Sequence, residues 1–92
     1  MAGWQQVARD WAKIALENDT FAVALRARRD ELATASLQAG GLDSVTQATK
    51  NAISMGKAVG LSGPDTLAAL TKAVAWLDLG VIPSQSRGFA RF

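Results

Sequence analysis

Ninety-two residues suffice for one domain, and folding at this size buries only a little more than about 60 % of the surface the unfolded chain exposes, so the core must be thin. With neither cysteine nor histidine, the chain can form no disulfide or thiolate metal site, and it lacks the commonest metal ligand and the commonest general base. A net charge of +2 is too mild for a dedicated non-specific nucleic-acid binder, which would carry lysine and arginine clustered along one face.

The basic excess sits late. Residues 1–46 hold five basic and six acidic side chains (net −1), residues 47–92 five and two (net +3). That balance suits an acidic protein partner or a surface near packaged nucleic acid. No apolar run approaches the roughly 20 residues of a membrane span, so no membrane partner is expected. Residues 1–7 lack the basic and continuous apolar regions of a secretory signal, and intracellular synthesis is the expectation.

From Trp4 to Glu17, the apolar positions Trp4, Val7, Ala8, Trp11, Ile14 and Ala15 recur at spacings of three and four, which predicts an amphipathic helix. Asn18-Asp19-Thr20 supplies acceptors able to cap a new helix, although one bent helix is the alternative. On the second segment Phe21, Leu25, Arg28, Leu32, Ala35 and Ala39 share a stripe, with Arg26, Arg29, Asp30 and Glu31 on its wet side. Arg28 interrupts that stripe. Its bland role is an aliphatic stem packed on the core edge, its sharper one an ion-pair anchor at a subunit contact.

Gly40-Gly41 predicts the end of the second helix. Asp43 or Ser44 then caps a third, with an apolar face through Val45, Ala48, Ala52, Met55 and Val59 and with Thr49 and Ile53 beside it. Gly56 inside this helix costs about 1 kcal/mol relative to alanine, tolerable where another helix crosses closely. Gly60 to Asp65 is a second break, with Ser62 or Gly63 as cap and Pro64 in the first turn. A fourth helix follows through Leu67, Leu70, Val74 and Leu77 and stops at Gly80. The expectation is therefore all-α: a small bundle of about four helices over residues 1–80, then an extended C-terminal arm over 81–92.

Chemical motifs are weak. Ser54 and Lys57 match the S-x-x-K spacing of serine acyl enzymes, but the further partners of such sites are missing. Gly56-Lys57 lacks the hydroxyl residue that completes a phosphate-binding loop, since residue 58 is alanine. Asp30-Glu31 is the one adjacent acidic pair, and helical neighbours diverge. No catalytic residue, metal ligand, cofactor or small-molecule substrate is assigned. The three tryptophans carry more signal. Trp11 is expected in the core, Trp4 equally in core or interface, and Trp76, offset from the leucine line, at an interface. The arm has no acid and carries Arg87, Phe89, Arg91 and Phe92, a composition suited to a partner's groove, with phosphate contact as the lesser role.

The arm Arg87-Gly-Phe-Ala-Arg-Phe92 following the leucine-lined segment from Asp65 to Leu79 resembles the small head-tail connector (adaptor, head-completion) proteins of tailed bacteriophages. The resemblance covers about a third of the chain. It departs from the smallest members, which place a β-hairpin between two helices where Ser44 to Val59 here reads as helix. It implies a non-enzymatic virion protein, assembled in the host cytoplasm, whose subunits form a homo-oligomeric ring on a portal at the DNA exit. It also implies arms docked into neighbouring subunits, with Arg87, Phe89, Arg91, Phe92 and Trp76 as contacts. The alternative is a small helical nucleic-acid-binding protein using Arg26, Arg28, Arg29 and the arm.

Overall fold

Asn18 divides the first 36 residues into two helices. Its backbone is extended (φ −143°, ψ 101°), and its side-chain carbonyl accepts the Phe21 backbone N–H at 3.1 Å, so the chain stops one helix and starts the next within a single residue. The computed structural model, which describes residues 3–80, shows α1 (Trp4–Glu17), α2 (Asp19–Ser36), a 3-10 turn (Gly41–Asp43), α3 (Gln47–Lys57) and α4 (Gly63–Leu79). No strand occurs among the described residues. The fold is an all-α bundle of four helices, as the sequence predicts. The arm expected over 81–92 lies outside the described residues.

Four boundaries follow from local chemistry. Thr46 caps α3 by accepting the Thr49 N–H at 3.1 Å, the role expected of Asp43 or Ser44. Ser62 caps α4 by accepting the Asp65 N–H at 3.3 Å, with Pro64 in the first turn. At the end of α3, Gly60 is left-handed (φ 80°), and the Leu61 N–H bonds back to the Gly56 carbonyl at 2.9 Å while Leu61 itself is buried. This glycine-based stop fixes the direction in which the chain leaves for α4. α4 ends at Gly80, also left-handed at φ 67°.

The end of α2 differs from expectation. The helix stops at Ser36 instead of running to the glycine pair, and Ala39 is exposed beyond it. The Ser36 hydroxyl donates to the Ala33 carbonyl at 2.8 Å, a local bond that competes with continuing the helical ladder. Gly40 (φ 93°) and Gly41 (φ 59°) then turn the chain into the 3-10 segment.

Two buried faces are also rotated from their expected positions. On α1 the buried set is Val7, Ala8, Trp11, Ala12 and Ala15, with Ile14 at the edge and 45 % exposed. On α3 the buried set is Thr49, Ala52 and Gly56, whereas Val45 and Val59 are 66 % and 42 % exposed and Ala48 is exposed. Gly56 sits where α4 comes so close that a Cβ would meet Thr66, and Val45 and Val59, expected on this helix, lie beyond its two ends.

α2 and α4 touch each other and both remaining helices, while α1 and α3 flank this central pair without substantial contact between them. The centre is small in volume: Leu25, Leu32, Leu70 and Val74 are fully buried among Ala8, Ala12, Ala52, Ala69 and Ala73. Trp11 is buried, and Trp4 and Phe21 pack half-buried against the same cluster. Among the described residues Thr66 is the one polar side chain at full burial, and its hydroxyl donates to the Ser62 carbonyl at 2.7 Å. No buried side-chain nitrogen or oxygen lacks a partner among the described residues.

Candidate interaction surface

α4 turns Thr66, Ala69, Leu70, Ala73 and Val74 inward, which leaves a second stripe on its C-terminal half. Lys72 and Trp76, one turn apart, share that stripe, and the Lys72 ammonium sits 5.5 Å from the centre of the Trp76 ring. Trp76 is half-buried and packs against the core cluster. Leu79, nearly a turn further on, is 71 % exposed. The interface role expected for Trp76 thus falls on a residue that is part core and part surface, on the helix end from which residues 81–92 continue.

The same end is tied to α2. Arg26 and Asp78 form an ion pair across the bundle, with 43 % and 56 % of their side chains exposed. Val23, one turn before Arg26 on α2, is 70 % exposed. Apolar Val23 and Leu79 therefore lie close in sequence to the two partners of the ion pair, an association between helices that residue spacing alone does not reveal.

The three arginines proposed for nucleic-acid contact are each engaged by a carboxylate. Arg26 holds Asp78, Arg28 reaches both Glu31 oxygens at 2.8 and 3.1 Å, and the Arg29 Nε donates to Asp30 at 2.7 Å. Their positive charge is thereby balanced locally. Arg28 is half-buried, and its ion pair lies within its own helix. Arg87, Phe89, Arg91 and Phe92 lie outside the described residues.

The weaker motifs have structural roles. The Ser54 hydroxyl donates to the Asn51 carbonyl at 2.7 Å, so its proton points into its own helix and not toward Lys57. Asp30 and Glu31 serve the arginines above and border a depression of about 320 Å³ between α2 and the start of α3, together with Gln38 and Thr46. A larger groove of about 470 Å³ runs between the 3-10 turn and α3, with Leu42, Val45 and Ile53 as apolar lining and Asp43, Lys50 and Lys57 as charged lining. Among the described residues no three His, Cys, Asp or Glu side chains converge as a metal site would require. No helix among them is long and apolar enough to cross a membrane.

No family model matches the chain, and no curated protein or solved structure matches it either.

Proposed function

We propose that this chain is a non-enzymatic assembly protein, a head-tail connector or adaptor of the virion kind. Its subunits form a ring on a portal, and residues 81–92 dock into a neighbouring subunit. The observation that carries the reading is the Lys72–Trp76–Leu79 stripe, which presents a half-buried tryptophan and an exposed leucine on the helix that leads into the arm. Tryptophan in such a setting is a frequent anchor of interfaces. The acid-free composition of the arm and its resemblance to connector arms support the same assignment.

Deleting residues 84–92 tests it. If the arm serves a neighbouring subunit, the helical circular dichroism and melting temperature should stay almost unchanged, while oligomer formation measured by light scattering is lost. A truncated chain that unfolds would show the arm to be part of the core and would sink the proposal. Salt-dependent binding of duplex DNA by the intact chain at physiological ionic strength would replace it with the nucleic-acid reading. The locally balanced Arg26, Arg28 and Arg29 speak against that result.

A further inference from the structure

Two helices on different sides of the bundle carry the same spacing with opposite charge. On α1, Asp10 and Glu17 stand seven residues apart, about 10.5 Å along the axis, with Ile14 between them. At 3.6 residues per turn the three fall within roughly 60° of arc, and all are exposed. On α3, Lys50 and Lys57 have the same separation and bracket Ile53 at a similar angular spread. These residues line the groove that Leu42 and Val45 close from the side of the 3-10 turn.

None of the four charged groups belongs to an ion pair among the described residues, where the pairs are Arg26–Asp78, Arg28–Glu31 and Arg29–Asp30. Asp10 accepts only the Gln6 side-chain amide, at 3.1 Å. Ile14 and Val45 remain in water at 45 % and 66 % exposure. A third match in sign is present too: Lys13 neighbours the α1 stripe, and Asp43 lines the groove.

We propose that the Asp10–Ile14–Glu17 stripe of one copy docks in the α3 groove of a second copy. Ile14 enters among Leu42, Val45 and Ile53, and the two carboxylates meet Lys50 and Lys57. A chain cannot make this contact with itself, because α1 and α3 flank the central helices without substantial contact. The two surfaces are different patches, so the association is heterologous. Heterologous contacts generate a ring when the rotation closes and a filament when it does not. Exposed ion pairs are individually weak, so each contact is modest until ring closure makes the last one intramolecular. The inference rests on the self-assembly proposed above and gives it a face separate from residues 81–92.

Sedimentation of the full chain tests it at about 0.01 M and about 1 M salt, between which the Debye length falls from roughly 30 to roughly 3 Å. The chain should self-associate at low salt and dissociate at high salt. Lys50→Glu with Lys57→Glu, or Asp10→Lys with Glu17→Lys, should each weaken association about tenfold or more, as several like charges then face each other. Equimolar mixing of the two double variants should restore it, and so should all four substitutions in one chain. Circular dichroism confirms that each variant remains helical. A chain that is monomeric at low salt overturns the proposal, as do double variants that associate like the parent or a fourfold variant that stays apart. Loss of assembly on removing 84–92 with no effect of the charge reversals would uphold the arm and refute the groove. The reverse pattern would uphold the groove and refute the arm.

Discussion

Gly56 of α3 faces Thr66 of α4 so closely that a Cβ added at Gly56 would lie on the Thr66 hydroxyl, 2.6 Å from its Cβ and 2.7 Å from its Cγ2. The neighbour cannot yield, because Thr66 is fully buried and its hydroxyl is held by the Ser62 carbonyl. Gly56 therefore sets how near the two helices approach.

Gly56→Ala should accordingly destabilise the bundle in spite of alanine's advantage of about 1 kcal/mol in a helix. Overpacking a tight core site costs about 1–3 kcal/mol or more, so a net loss and a fall in melting temperature on the order of 10 °C are expected for a domain of this size. Thermal melts followed by circular dichroism decide it. An unchanged or raised melting temperature would show that the helices can separate freely.

Gly60→Ala should lower stability by about 1 kcal/mol, since the left-handed backbone at φ 80° costs roughly 1–2 kcal/mol with a β-carbon present. Gly60→Asn should cost less, because asparagine tolerates that conformation better. Equal losses from both substitutions in urea melts would mean that the turn relaxes out of the left-handed region.

For Arg26 and Asp78 a double-mutant cycle to alanine should give a coupling of about 0.2–1 kcal/mol, reduced in high salt, because the pair is largely in water. Chemical denaturation of the four proteins measures it. A coupling well above 1 kcal/mol would assign the pair a larger part in holding α2 to α4.

Lys72→Ala should cost about 0.5–1 kcal/mol through loss of the cation–π contact with Trp76. The same substitution should alter self-association if the Lys72–Trp76 stripe is an interface, and leave it unchanged if the stripe is only surface. Urea melts and sedimentation of one variant separate the two effects.

The helix boundaries were legible in the residues because capping and left-handed turns are local. Asn18, Ser62 with Pro64, Gly60 and Gly80 each act on backbone groups within a few positions, and the helices start and stop there. Two boundaries differ: Thr46 caps α3 in place of Asp43 or Ser44, and α2 ends early, where the Ser36 hydroxyl offers an equally local competitor that composition does not rank. The inward faces of α1 and α3 were less legible. A hydropathy period favours Ile14, Val45 and Val59 beside Ala52, whereas the bundle buries Ala12, Thr49 and Gly56 together with Ala52 and leaves both valines beyond the ends of α3.

The expected interface at Trp76 falls on a partly exposed aromatic, while the arginine candidates are balanced by carboxylates, one of them 52 residues away. The amino-acid sequence by itself thus determined an all-α chain with breaks at named residues and marked Gly56 as a place where a close crossing would be tolerated. The tertiary structure alone decided which flank of each helix meets its neighbour. It also decided that Arg26 finds Asp78, and that the Lys50–Lys57 groove and the Asp10–Glu17 stripe lie on helices set apart by the central pair. Caps depend on neighbours along the chain, whereas faces, ion pairs across helices and grooves depend on how closely the small residues of different helices pack.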